Sequence, residues 1–231
     1  MDNEIFKRYV SVQIGCSRIA IDMIEANRDD LSLINFAIQS LLSSLANISK
    51  VFYNGNNIKN ADGSKNQIAS RANERATDLL TFYKLDVKTF PTISAISRTL
   101  RNTSEHYDQR IDEYIDTFPN HVFIDLCVLH SGAEISNLDN QTILTANQNE
   151  RLKCVFFTPK TINPQSSNDD GKVKFVYDAP SIIMKKIDYG KNTIEYLGEK
   201  LDEPSHKINI NELKAELLYV ENKLNSILPI D

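Results

Sequence analysis

The spacing of apolar residues changes once along this chain, and that change limits the fold more than any other feature. Up to Phe118 apolar side chains recur at steps of three and four, as in helices with one buried face. Beyond Pro119 and Asn120 they gather in short runs rich in Val, Ile, Phe and Tyr, bounded by turn residues, as in strands. A run of helices followed by a run of strands gives an α+β protein. The order predicts an antiparallel helical bundle with a small, mostly antiparallel β-sheet inserted before a C-terminal helix. Three regions are expected: a bundle over 1–120, a sheet with mobile loops over 121–205, and a helix over 206–231 that rejoins the bundle.

The first helix runs from Glu4 to about Glu25, with Ile5, Tyr9, Val12, Cys16, Ile19 and Met23 as its expected core face. Asn27, Arg28, Asp29 and Asp30 supply a turn and an N-cap. A second helix then carries Ile34, Ile38, Leu41, Leu45, Ile48 and Phe52 inward. Its uncharged stretch from Leu31 to Ser49 is broken by serine, asparagine and glutamine, which are costly in lipid, so a buried soluble helix is expected and no membrane partner. The Asn- and Gly-rich segment Asn54 to Asn66 reads as a loop. A third helix follows over Gln67 to Tyr83, with Ile68, Ala72, Ala76, Leu79 and Tyr83 inward.

Phe90 and Pro91 set the entry to the segment on which the rest is expected to depend, Thr92 to Phe118, read as one long helix. Ile93, Ile96, Leu100, Tyr107, Ile111, Tyr114 and Phe118 share one face, weakened at Thr103 and Ser104. The opposite arc carries Arg101, Asn102, Glu105, His106, Asp108, Gln109 and Asp112. Strands are expected at His121 to Leu129, Arg151 to Phe157, Lys172 to Asp178, Ile182 to Asp188 and Asn192 to Leu197, with a hairpin turn at Tyr189-Gly190-Lys191. The connections Ser131 to Glu150 and Pro159 to Gly171 are expected to be mobile. The last helix spans Asn211 to Ile227.

A chain of 231 residues, 41% hydrophobic and 25% charged, can bury a core without staples. Its net charge of −5 argues against holding nucleic acid by bulk electrostatics. A local basic cleft remains open to it, lined by Arg71, Arg75, Arg98, Arg101 and Arg110. The three cysteines, 16, 127 and 154, are odd in number and widely spaced, as reduced thiols of a cytoplasmic protein are, and they lack zinc spacing. The opening MDNEIFKR lacks a basic flank followed by an apolar run, so no secretory signal is expected. His121, His130 and His206 lack partners at ligand spacing, and no metal or cofactor site is expected.

On the polar arc, Asn102 and His106 lie one helical turn apart on one flank, and Arg101 and Glu105 on the other. Arginine and histidine are thus separated by about 140° around the axis, too far to grip one phosphate together. Two such helices facing across a two-fold axis bring the histidine of one near the arginine of the other. That cleft has an acid/base group in His106 and a charge stabiliser in Arg101, suited to a phosphodiester without metal.

The run LRNTSEHYDQRIDEY, with R-N-x-x-E-H at its centre, resembles the signature of the HEPN superfamily of nucleotide-binding helical domains. The segments SRANERATDLL and IDYGKNTIEYLGEKLD are similar to a bacterial subgroup that adds a small sheet to the helical core. The resemblance implies a HEPN-like bundle and a homodimer across the Thr92 to Phe118 helix. It implies a metal-independent endoribonuclease with Arg101, Asn102 and His106 matching the active-site positions and Glu105 a subgroup preference. It also implies RNA as substrate or ligand and a protein antitoxin or regulator in a toxin or defence setting; the RNA contacts expected from position alone are Arg71, Arg75, Arg98 and Arg110, of which Arg71 and Arg75 equally suit rim charges. Members that have lost cleavage serve as binding or regulatory modules for a nucleotide, an RNA or a partner protein. The same residues also suit a solvated helix face, with Arg101 and Glu105 as an ordinary i, i+4 ion pair.

Overall fold

The computed structural model describes residues 3–52, 62, 66–106, 108–109, 111–112, 116, 123–130, 133–138, 141–146, 153–157, 165–166, 173–178, 184–197 and 206–226. The protein is α+β. The helices bounded by described residues are α1 (Asn3–Ala26), α2 (Leu31–Phe52), α3 (Gln67–Phe82), α4 (Ser97–Glu105) and α5 (Ile210–Asn225), with a 3-10 turn at Val87–Thr89 and a π turn at Thr92–Ile96. Its strands are β1 (Phe123–Leu129), β2 (Glu134–Leu138), β3 (Gln141–Ala146), β4 (Lys153–Phe157), β5 (Gln165–Ser166), β6 (Val173–Asp178), β7 (Met184–Asp188), β8 (Thr193–Leu197) and β9 (His206–Asn209).

The chain divides into two compact units. One holds Met1–Ile24, Phe36–Arg101 and Asn211–Asp231, and the other holds Glu25–Asn35 and Asn102–Ile210. In the helical unit α2 is central, because its apolar residues run nearly all the way round: Ile38, Leu41, Leu42, Leu45 and Ile48 are fully buried. Phe90 meets Phe52 edge to face at 6.2 Å and lies 6.1 Å from Tyr219 of α5. Gln13 of α1 accepts from Asn47 of α2 at 3.3 Å, as expected of antiparallel neighbours joined by a short turn. Arg18 forms a two-pronged ion pair with Glu221 of α5, at 2.9 and 2.7 Å.

The entry to α4 is irregular for a physical reason. Pro91 has no N–H to donate, and the N–H groups of Thr92 and Ile93 have no helical acceptor at a first turn. Glu216 of α5 accepts both, at 3.1 and 3.0 Å. Ser49 of α2 donates to the carbonyl of Ser94 at 2.9 Å, and Ser97 to that of Ile93 at 2.8 Å, so the π turn is held by side chains as well as by its own ladder.

In the other unit, β4-β1-β7-β8-β9 form one sheet and β2-β3-β6-β5 another. Neighbours are antiparallel except β1 and β7, which run parallel. Asn192, at φ 53°, closes the β7–β8 hairpin in the left-handed conformation that asparagine tolerates. The α1–α2 turn is built into this unit. Asp30 caps α2 by accepting from Ser32 and Leu33 at 3.0 Å, Asp29 pairs with Lys153 at 2.7 Å, and Arg28 covers the Tyr189 ring at 4.5 Å.

The structure departs from five of the sequence-based expectations. In α1 the buried face is Val10, Ile14, Ser17, Ala20, Ile21 and Ile24, whereas Ile5, Val12 and Ile19 of the expected core stripe are each about 60% exposed. The helix is apolar on two faces, and the neighbouring helices take the other one. Ile68 of α3 is also exposed, while Ala76, Leu79 and Tyr83 are buried as expected. The segments 131–150 and 159–171, expected as mobile connections, contain β2, β3 and β5, so the described strands form two sheets where one was expected. Thr142, Ile143 and Thr145 are β-branched and pair along β6, while interspersed Asn, Gln and Ser dilute the strand pattern in the sequence. Residues His206–Asn209, grouped with the final helix, pair with β8 as an edge strand. Finally, α4 ends at Glu105 with His106 in a turn, just past Thr103 and Ser104, whose hydroxyls compete with the helical ladder. Asp108, Gln109, Ile111, Asp112 and Asp116 are helical again; the other residues expected from 107 to 118 lie outside the described residues.

Candidate functional site

The candidate residues of the polar arc lie on the last turns of α4. Ile93 and Leu100 bury the opposite side of this segment, which turns the arc outward. Asn102, Glu105 and His106 are exposed and Arg101 is half-buried. The N–H of His106 donates to the carbonyl of Asn102 at 3.2 Å, so the helical spacing of this pair continues through the turn. The boundary between the two compact units falls between Arg101 and Asn102, inside this helix. Asp108, Asp112 and Asp116 beyond it are exposed.

The arginines named as RNA contacts differ in their surroundings. Arg71 is exposed on α3. Arg75 donates to the carbonyl of Lys50 at 3.2 Å, in the last turn of α2, and its guanidinium lies 5.3 Å from the centre of the Phe6 ring. A cation at a helix C-terminus compensates the unsatisfied carbonyls there, so Arg75 joins α1, α2 and α3. Arg98 is half-buried on α4, and Arg110 lies outside the described residues. Of the remaining histidines, His130 stacks on Tyr189 at 5.5 Å and His206 is exposed on β9. His121 lies outside the described residues. Among the described residues no group of three or more His, Cys, Asp or Glu side chains is placed to hold a metal.

A second polar cluster lies within the sheet unit and escapes the pattern of apolar runs. Lys185 on β7 is buried, 3.2 Å from Asp125 on β1, and donates to Asn35 at 2.6 Å. Burial lowers the Lys185 pKa, while Asp125 pushes it back up. The β1–β4 register shifts between Ile124 and Leu126, which sets Asp125 at an irregularity of the kind that re-aims a side chain. Tyr196, the cross-strand neighbour of Lys185, is buried as well, and burial pushes its phenol pKa up. Lys186 pairs with its own cross-strand neighbour Glu195 at 2.7 Å. The signal in the sequence was charge inside two apolar runs, Asp125 in FIDLCVL and Lys185 with Lys186 in IIMKKID. Cys127 and Cys154 also face each other across β1 and β4, both as free thiols with sulfurs 2.8 Å apart.

Helix α2 is the described helix long and apolar enough to cross a bilayer, and half of that stretch is buried inside the protein. No protein-family model, curated protein or solved structure matches the chain.

Proposed function

We propose that this chain is a metal-independent endoribonuclease of HEPN type, acting in the cytoplasm as a homodimer whose α4 segments face each other. The supporting observation is the outward arc of α4, where Arg101, Asn102 and Glu105 lie within the last turn and a half and His106 follows at once. His106 of one subunit takes the proton from a ribose 2′-hydroxyl, whose oxygen attacks the adjacent phosphorus. Arg101 of the other subunit stabilises the charge gathering on the phosphoryl oxygens, and Asn102 orients the histidine or the phosphate. The proton passes to the departing 5′-oxygen, leaving a 2′,3′-cyclic phosphate and a 5′-hydroxyl. Arg71 and Arg98 remain as candidates for holding the RNA backbone.

The net charge of −5 and the exposed Asp108, Asp112 and Asp116 favour a second reading, a HEPN-like binding or regulatory module controlled by a protein partner such as an antitoxin. One experiment separates the two. Wild-type and His106→Ala protein are incubated with labelled mixed-sequence RNA in EDTA. Cleavage to 2′,3′-cyclic ends by the wild type, absent in the variant, supports the enzyme. Intact RNA with both proteins, together with thermal stabilisation by RNA or nucleotide, supports the binding module.

A further inference from the structure

The exposed side of α1 repeats with a period the fold itself does not use. Tyr9, Val12, Cys16 and Ile19 stand at alternating steps of three and four, and Ile5 and Met23 continue the series at both ends. That is a strict seven-residue repeat over three turns of the pattern, the spacing of a two-helix seam rather than of a helix lying on a broad core. The helix is 24 residues long, about 36 Å. Tyr9 is 43% exposed, Val12 60% and Ile19 61%, while the helix already buries its Val10, Ile14 and Ile21 face. Isolated exposed apolar residues are ordinary, but a continuous stripe at seam spacing is not.

The charges beside the stripe select its occupant. Arg8 and Asp22 are both exposed and flank the seam on the same side, with Gly15 midway between them. A Cβ built at Gly15 would meet nothing within 4 Å, so another helix can approach there. In an antiparallel pair with its two-fold axis near Gly15, Val12 packs against Cys16 of the second copy and Tyr9 against its Ile19. Arg8 then stands opposite Asp22 of the second copy, and Asp22 opposite its Arg8. A parallel pair has no such match: it sets Arg8 near Gln13 and Cys16 against Cys16. We infer that the exposed face of α1 is a self-association surface on which a second copy of this chain docks antiparallel. It stands apart from the α4 reading and does not depend on it. If both faces are used, the two isologous contacts close a tetramer of dihedral symmetry or extend as a filament.

The test is sedimentation equilibrium of the full chain at low salt, with circular dichroism to establish folding. The wild type self-associates at micromolar concentration. Ile19→Asp, on an exposed position, stays folded and weakens association by about two orders of magnitude, because each interface then buries two carboxylates against apolar side chains. Arg8→Glu and Asp22→Lys each weaken it, more at low salt than at high, and the double variant restores it. Four outcomes overturn the inference: a monomeric wild type; association that Ile19→Asp leaves unchanged; no rescue by the double charge reversal; or monomers that instead bind anionic lipid vesicles through this stripe.

Discussion

The Glu216 carboxylate accepts the backbone N–H of Ile93 at 3.0 Å, from a position on the last helix 123 residues away. The same carboxylate takes the N–H of Thr92. The C-terminal helix therefore fixes the first turn of the segment whose last turn carries Arg101 and Asn102. Without that acceptor, two donors at a buried helix start have no partner.

Replacing Glu216 by alanine is expected to cost about 1–2 kcal/mol of stability, as loss of a helix cap does, measured by urea denaturation. Burial raises the Glu216 pKa above its ordinary 4.5 despite the two donors. The folded state therefore holds this proton to higher pH than the unfolded one, and its contribution to stability declines as pH rises from about 4.5 through the raised value. In Glu216→Gln that part of the pH dependence vanishes. An unchanged stability–pH profile in the variant would show that the carboxylate titrates normally.

Asp125→Ala leaves the Lys185 ammonium buried with one oxygen partner fewer and is expected to destabilise by about 3–5 kcal/mol. Asp125→Leu combined with Lys185→Met removes both charges and costs far less. Equal losses in the single and the double variant would show that the ion pair, rather than the orphaned charge, dominates. Thermal unfolding of the three proteins decides.

Arg75→Ala is expected to lose about 1–2 kcal/mol, because the side chain holds the Lys50 carbonyl and covers Phe6. Arg71→Ala, one turn earlier and exposed, should leave stability within about 0.5 kcal/mol. If RNA affinity falls in Arg71→Ala with stability intact, the third helix borders the RNA path. A fall only in Arg75→Ala points to a structural effect.

The proposed pairing of His106 and Arg101 across two subunits makes a prediction about mixtures. Arg101→Ala and His106→Ala should each lower RNA cleavage by about 100-fold or more. When the two inactive proteins are mixed and allowed to exchange subunits, half of the dimers hold one intact site made from the histidine of one chain and the arginine of the other. About a quarter of wild-type activity should return. No recovery after verified exchange means that both groups act from one chain or that neither acts.

Thiol labelling should follow burial. Cys16 is exposed on α1 and is expected to react first with a maleimide in the native protein, whereas Cys127 is buried, its pKa raised by that burial, and should react only on unfolding. Mass mapping of partially labelled protein checks the order.

Element type was legible wherever one period dominated a long segment. The ends of α1, α2 and α3 and the β7–β8 hairpin fall within a few residues of their sequence-based positions, since capping by Asp30 and the turn chemistry of Asn192 are local. Strands β2 and β3 were not legible, because their partners confer stability that Asn, Gln and Ser do not advertise. The arc of α4 was legible as a set of residue types. The break at His106 was not, although Thr103 and Ser104 hinted at it.

The sequence by itself determined the switch from helices to strands, the α+β class and the outward polar arc, because periodicity and capping act over a few residues. Only the tertiary structure decided which apolar face of α1 is buried. Tyr9, Val12 and Ile19 make the more regular stripe, yet burial goes to whichever face meets α2 and α5, and that depends on how residues far apart in sequence come together. The Asp125–Lys185 pair depends on them in the same way. Its charges are intelligible only once β1 and β7, 55 positions apart from Leu129 at the end of one to Met184 at the start of the other, lie side by side.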